Sequence, residues 1–421
     1  MNAFDFQRHI YLGTDSDGGH VRLGAETRRR HLYVIGQTGT GKSTMLANLL
    51  AQDLAQGRGC ALIDPHGDLA EAALGLLPTT RGDHLVYLDP SDLTRPIGFN
   101  LLSEVPDDLR PVVTDGVVSA FRHVWPDFWG PRLEHILAHS VRSLMDVPNA
   151  TLLNLPRLLQ DEVYRTEVLS HVRDPVNAAF WRHEYATYPP HFREEAIAPV
   201  LNKIGRVLMT PAIRNIIAQP RSTIDLRFMM DSGRVLICNL SKGKIGEGPS
   251  HLLGALIITA IAQAALSRGS AFDRPDFHLY VDEFQNFASS GFALILSEAR
   301  KFGLTLTLAH QYLDQLPDQL REAVFGNTGS MVAFRTGAND APLIAKQLSL
   351  PRPEMVRDLP NFSAWANVLQ GNTPSDPFRL DTYVPPAPFH HRAARLAQNS
   401  AIRFGRDRQM IEGHIAKFFD R

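Results

Sequence analysis

The residues able to do chemistry begin with the run Gly36-Gln-Thr-Gly-Thr-Gly-Lys-Ser-Thr44. It fits the phosphate-loop pattern G-x-x-x-x-G-K-[ST]. Gly36, Gly39 and Gly41 let the backbone turn its N–H groups inward on phosphate oxygens. Lys42 reaches the β- and γ-phosphates, and the Ser43 hydroxyl is placed to ligate Mg²⁺. The helix that starts there adds the positive end of its dipole. The nucleotide-binding set is therefore Gly36, Thr38, Gly39, Thr40, Gly41, Lys42, Ser43 and Thr44, and the implied cofactors are ATP and Mg²⁺. A plain Gly/Thr-rich turn before a helix is the alternative, but it leaves the length and context of the pattern unexplained.

A second set lies far downstream, in Phe277-His-Leu-Tyr-Val-Asp-Glu283. Asp282 would bind the metal directly or through water, and Glu283 would polarise the attacking water as general base. Asp-Glu after a strand is a weak signal alone and gains its meaning from the phosphate loop. Gln311 closes the next apolar run, Leu304-Thr-Leu-Thr-Leu308, where a side chain can sense the γ-phosphate; a surface amide is the alternative. His310 beside it reads as a packed or exposed histidine rather than a catalyst. Arg300 ends a helix in Ser297-Glu-Ala-Arg-Lys-Phe-Gly303. It either stabilises a transferring phosphoryl group from a neighbouring subunit or offsets its own helix dipole, and residue physics leaves the two even. Arg335 is a second arginine candidate. Asp64-Pro-His-Gly-Asp68 suits a contact to nucleotide, metal or a neighbouring subunit, or equally a turn with a helix N-cap at Asp68. As a metal site the trio Asp64, His66 and Asp68 is unconvincing.

These residues need a scaffold. Short apolar runs such as His31–Ile35, Cys60–Ile63 and Leu85–Leu88 alternate with helical stretches, which points to a parallel sheet covered on both faces. Residues 8–23, with their turn at Asp15–Gly19, read as an N-terminal β-ribbon. From 105 to 222 helical periodicity replaces strand signals. The expected organisation is 1–23 β-ribbon, 24–104 and 223–385 ATPase core, 105–222 all-helical insertion, and 386–421 basic tail after the linker Pro385-Pro-Ala-Pro388.

The 421 residues are 44% hydrophobic and 21% charged, an ordinary soluble composition, and the net charge of −1 excludes a globally basic nucleic-acid binder but not a local basic channel. Cys60 and Cys238 lie in apolar runs and read as buried thiols in a reducing compartment. No signal peptide opens the chain. The apolar stretch Leu252–Leu266 falls short of the roughly 20 residues needed to span a bilayer, and is expected as a helix buried against a sheet. A cytoplasmic location follows, with membrane association through a partner left open.

The order of Gly-Gln-Thr-Gly-Thr-Gly-Lys-Ser-Thr, Asp-Pro-His-Gly-Asp-Leu, Tyr-Val-Asp-Glu-Phe-Gln-Asn-Phe, Glu-Ala-Arg-Lys-Phe-Gly and Ala-His-Gln resembles the HerA/FtsK superfamily of ring ATPases. Within it the chain is similar to the cytoplasmic ATPase of type IV secretion coupling proteins, the conjugative DNA-transfer ATPases, over about residues 24–385. Phe325–Gly337 and Ser400–Arg406 also look like this group. The resemblance implies an α/β RecA-like P-loop NTPase core. It assigns phosphate and Mg²⁺ binding to Lys42 and Ser43, metal and water roles to Asp282 and Glu283, a trans arginine to Arg300, and coupling of hydrolysis to movement to Gln311. It also implies a homo-oligomer, a hexamer, moving DNA through a central pore without sequence preference, with a secretion channel, relaxase or nuclease as protein partner. The chain departs from membrane-bound coupling proteins in lacking their opening transmembrane helices, and the barrel that opens many HerA proteins does not fit its first 25 or so residues. A natural soluble relative, or one that reaches a membrane through a partner, is expected.

DNA translocation is the leading reading, with Lys242 and Lys244 as pore-loop candidates or an ordinary solvated loop. The alternative is a motor or adaptor that recruits protein or nucleoprotein cargo through the insertion, where Tyr185, Tyr188, Glu194 and Glu195 are candidate contacts. A GTPase-type switch is disfavoured because the Asn-Lys of Asn202-Lys-Ile-Gly205 lacks the following Asp. Arg392, Arg395, Arg403, Arg406 and Arg408 in the tail suit DNA, a neighbouring subunit, or a solvated helix face equally.

Overall fold

The computed structural model describes residues 9–269, 274–288, 290–371 and 373–420. The described chain forms two compact units. One takes the described residues within 9–88, 226–241 and 268–400; the other takes those within 89–225, 242–267 and 401–420.

The first unit is built on a sheet. Its strands are β1 His9–Asp15, β2 His20–Gly24, β3 Leu32–Ile35, β4 Gly59–Asp64, β5 Leu85–Leu88, β6 Val235–Asn239, β7 Phe277–Val281, β8 Leu304–His310, β9 Ser330–Ala333 and β10 Ser363–Asn367, with the short pair β11 Leu369–Gln370 and β12 Thr373–Pro374, and finally β13 Phe378–Thr382. Eleven of them form one sheet in the order β2-β1-β13-β10-β9-β3-β8-β7-β4-β6-β5. From β9 to β5 every neighbouring pair is parallel. The pairs from β2 to β9 are antiparallel. The expected α/β architecture with a mainly parallel sheet is borne out. The N-terminal ribbon does not stand alone, because β1 pairs with β13 and so extends the sheet.

The apolar runs explain the parallel part. Every residue of β3, β4, β5, β6, β7, β8 and β9 is buried, as expected of strands covered on both faces. The helix Lys42–Ala55 buries Met45, Leu46, Leu49, Leu50 and Leu54 in the same core as Val34, Leu62 and Ile237. Cys60 and Cys238 are both buried and free, and burial pushes their thiols up in pKa.

Register does the positioning. Ile35 pairs with His310 on one side and Ala333 on the other, and Val281 pairs with Leu308. The carboxyl ends of β3, β7, β8 and β9 therefore come level, and the segments leaving them share one edge.

The second unit is helical. Its longer helices are Arg110–Val124, Pro131–Leu144, Pro190–Met209, Glu247–Leu266 and Arg408–Phe419. The helix Glu247–Leu266 is the one described helix long and apolar enough to cross a membrane, and 72% of its apolar window is buried in the protein. Within this unit it packs along the helix Arg110–Val124. The approach is close, since a Cβ on Gly116 would lie 2.2 Å from Thr259 Cγ2. Tyr185 is corrected from candidate partner contact to core residue. It is fully buried, and its hydroxyl donates to Leu159 O at 2.7 Å. Glu194 and Glu195 are exposed, and Tyr188 donates to Glu184 Oε1 at 2.7 Å.

Candidate nucleotide-binding and hydrolysis site

The loop leaving β3 is tied to both neighbouring strands. Gly36 N–H donates to His310 O at 3.2 Å, and Gln37 N–H donates to Arg335 O at 2.8 Å. Gly39 and Gly41 have φ of 77° and 125°, values that L-residues rarely adopt. Thr40 is buried and its hydroxyl donates to Gln37 O at 2.7 Å, while Thr38 and Ser43 are exposed at the rim. Lys42 Nζ sits inside the loop, donating to Gly36 O at 2.6 Å and Gln37 O at 3.2 Å. Burial lowers its pKa, and the charges of Glu283 and Asp282 oppose that shift.

Strand order brings the distant carboxylates here, because β8 alone separates β3 from β7. Ser43 Oγ donates to Asp282 Oδ2 at 3.4 Å. Asp282 is buried, and its pKa rises to about 7, through burial first, then the charges of Glu283 and Asp64, with Lys42 opposing. A hydroxyl and a buried carboxylate close to further carboxylates are hard oxygen donors that fit Mg²⁺ completed by phosphate oxygens and water. Among the described residues no group of three His, Cys, Asp or Glu forms a metal site, so the Asp64, His66 and Asp68 loop holds no such cluster. Asp64 instead accepts from His66 N at 2.9 Å and Ala70 N at 2.9 Å, which ties the turn to the first turn of the helix Asp68–Leu76.

Glu283 is buried and sits in the left-handed region at φ 47°. Such a conformation costs about 1–2 kcal/mol for a non-glycine residue and persists where the surroundings hold it. Both carboxylate oxygens are held: Gln285 Nε2 donates to Oε2 at 2.8 Å, and Gln311 Nε2 donates to Oε1. Gln311 Oε1 in turn accepts from Thr38 Oγ1 at 3.0 Å. An amide thus links the phosphate loop to the candidate base. His310 points inward, its Nδ1 within 2.9 Å of the Tyr33 hydroxyl, and burial, then Lys42, lowers its pKa to about 3.

The two arginine candidates separate. Arg335 lies beside the phosphate loop, but its guanidinium donates to Leu359 O at 3.3 Å and Asn361 Oδ1 at 3.0 Å of its own chain. Arg300 lies just before β8, at the amino end of the strands and away from Lys42. It is exposed in an open cavity of about 730 Å³ lined also by Arg29, Arg30, His31 and Asn327. The structure brings Lys42, Ser43, Asp282, Glu283 and Gln311 together and leaves Arg300 outside the set.

Residues 10–257 match the family model of the helicase HerA central domain. The chain belongs to that family. The fold is shared with solved structures of a bacterial conjugative coupling protein, TrwB. The unbound TrwBdeltaN70 form matches with a TM-score of 0.64 at 16% identity, over 91% of this chain and 90% of that one. TrwB with the ATP analogue ADPNP matches with a TM-score of 0.65 at 18% identity, over 91% of each chain. VirB4 of Thermoanaerobacter pseudethanolicus matches with a TM-score of 0.62 at 15% identity, over 91% of this chain and 98% of that one. No curated protein matches. The HerA/FtsK resemblance read from the motifs is borne out.

Several site residues of this HerA-family chain carry no sequence signal. Gln285 grips Glu283 from two residues away and resembles any loop amide. Deeper in the sheet, Arg28 forms two hydrogen bonds of 2.7 Å to Asp53, which also accepts from Tyr280 at 2.6 Å. Burial opposes ionisation of Asp53, yet the Arg28 charge holds its carboxyl well below the usual range. This buried network joins the phosphate-loop helix to β7. The run Arg28-Arg-Arg30 hints at it only as a cluster of charge before a core strand.

Proposed function

We propose that the chain is an ATP-hydrolysing motor that assembles as a homo-oligomeric ring, a hexamer, and translocates DNA through its centre without reading sequence. The observation that carries this reading is the hydrogen-bonded chain Thr38–Gln311–Glu283, which ties the phosphate loop to a buried carboxylate. Lys42 and the loop amides hold the phosphates, and Glu283, gripped by two amides, takes the proton of the attacking water. Ser43 and Asp282 would hold Mg²⁺, which when bound supplies neutralisation of phosphate charge. Gln311, touching both Thr38 and Glu283, passes a change at the γ-phosphate to the base and to β8. Solved TrwB structures with ADP and Mg²⁺, and with ADPNP, support this cofactor pair.

Arg300 cannot serve its own phosphate loop from the opposite end of the strands, so its role falls to a neighbouring subunit's nucleotide. DNA contacts would be to phosphates and therefore salt-dependent. Lys242 and Lys244, on the short helix Lys242–Ile245, are the candidate contacts. Tail arginines are partly occupied: Arg392 donates to Leu77 O at 2.8 Å and Arg408 to Glu412 at 2.9 Å. A cytoplasmic site of action, reaching a membrane through a secretion-channel partner, fits this role.

One observation favours the second reading, recruitment of protein or nucleoprotein cargo by the helical unit. That unit has an open cavity of about 810 Å³ lined by Trp125, Trp129, Arg132, Glu195 and Arg206. It also exposes Val163, Val176 and Met209 to more than two-thirds. The deciding experiment is the ATPase rate with and without double- and single-stranded DNA, for wild type and Glu283→Gln. DNA is expected to stimulate the wild type, and the variant to bind ATP without turnover. A wild-type rate indifferent to both DNAs counts against translocation and favours cargo recruitment.

A further inference from the structure

Phe362 stands out on the rim of the phosphate loop. It is a bulky aromatic in the left-handed region, at φ 66°, and its side chain is 51% exposed. Bulky residues rarely hold this conformation, and such outliers cluster where function demands them. Its backbone is pinned on both sides. Phe362 N–H donates to Thr40 O at 2.7 Å, and Phe362 O accepts from Thr382 N at 3.0 Å and Thr382 Oγ1 at 3.0 Å. Arg335 fastens the preceding residues through Leu359 O and Asn361 Oδ1. The ring abuts the loop itself, because a Cβ on Gly41 would lie 3.2 Å from Phe362 Cδ1. A chain that only needed a turn here would be better served by glycine or asparagine.

Strand order says which end of a nucleotide this ring meets. The γ-phosphate end faces Asp282, Glu283 and Gln311, on the β7 and β8 side of β3. Phe362 leads into β10, on the β9 side. The base of a nucleotide held by Lys42 leaves the loop away from Glu283 and so toward this ring. We infer that Phe362 is the stacking platform for the nucleotide base and that Arg335 positions the loop that carries it. This rests on the nucleotide-binding reading of the phosphate loop. An aromatic face stacks on any base, so adenine and guanine nucleotides are accepted alike.

The test is calorimetric titration of the full chain with Mg²⁺ and either ADP, GDP or inorganic tripolyphosphate. Wild type is expected to bind ADP and GDP with similar affinity. Phe362→Gly and Phe362→Asn, both of which suit a left-handed backbone, should lose about tenfold in ADP affinity with tripolyphosphate binding unchanged. Phe362→Tyr should retain ADP affinity. Relief of backbone strain should leave the melting temperature of the glycine variant equal to wild type or higher. Wild-type ADP affinity in Phe362→Gly and Phe362→Asn overturns the platform, and so does a parallel loss for ADP and tripolyphosphate, which marks a purely structural loop. A wild-type chain that binds neither ligand removes the nucleotide site itself, and the stacking role with it.

Discussion

At the carboxyl ends of β3, β7 and β8 lie Lys42, Asp282, Glu283 and Gln311, whereas the segments entering β3 and β8 carry Arg28, Arg29 and Arg300. The first end gathers carboxylates around a single lysine. The second gathers cations, some already matched: Arg28 is buried on Asp53, and Arg29 pairs with Asp276 at 2.9 Å. Arg300 differs from them in being exposed in the cavity at that edge. A phosphoryl group transferred at the first end would have Lys42 as its nearby cation and carboxylates on the other side. In the proposed ring, the second end of another copy of the chain would supply the complementary charge. The contrast also separates two kinds of arginine, one buried on a carboxylate and holding the fold, the other left exposed in the cavity.

The sharpest way to break that contrast is Arg300→Ala. Turnover of the assembled oligomer should fall by about 10³-fold or more with nucleotide affinity unchanged. Mixing Arg300→Ala chains with Glu283→Gln chains should restore part of the activity, since an interface with both functional groups then forms. Normal turnover in Arg300→Ala oligomers ends the trans role. Asp53→Asn attacks the structural arginine instead. Stranding the buried Arg28 charge should cost about 3–5 kcal/mol in denaturant unfolding, with any residual folded protein still binding ATP. Gln311→Ala should leave ATP binding near wild type and lower turnover about tenfold, by loosening one of the two amide grips on the general base. Equal losses in binding and turnover would instead make Gln311 part of the cradle.

The smallest effect concerns the histidines held neutral inside the sheet unit. Burial lowers the pKa of His31 to about 4 and of His278 and His310 to about 3, against 6.5 in the unfolded chain. Between those values the unfolded state binds protons that the folded state refuses. Stability is therefore retained above about pH 6.5 and lost as pH falls below it, by up to about 1.4 kcal/mol per pH unit for each histidine. Melting curves at pH 7 and pH 5.5 should show this loss. His278→Asn should show a shallower slope, and an unchanged slope would mean that other groups carry the acid sensitivity.

Much of the site was legible because its parts are local. The phosphate loop announces itself in nine consecutive residues, and Asp282-Glu283 follows a run buried on both faces. The strands β3 to β9 read clearly because both faces are apolar. Strands β10 and β13 did not, since Ser363–Asn367 mixes buried and half-buried positions, Phe378–Thr382 has one buried position and one exposed, and both carry little continuous apolar signal. Gln285, Asp53 and Phe362 escaped for another reason. Their types are ordinary, and their meaning lies in what stands opposite them. The helix Glu247–Leu266 was legible as buried, but its close approach to the helix Arg110–Val124 was not, because an apolar surface does not specify which helix will cover it.

By itself the sequence determined the phosphate cradle, the acidic strand end, the parallel sheet and the family, since each depends on residue type at short spacing. Only the tertiary structure decided that Gln311 bridges Thr38 and Glu283, that Arg335 braces the segment before Phe362, that Arg300 lies at the far end of the strands, and that Phe362 leans on Gly41. The physical reason is register. Strand order and pairing bring together side chains hundreds of positions apart, and those pairings are settled by burial of the whole sheet rather than by any local run of residues.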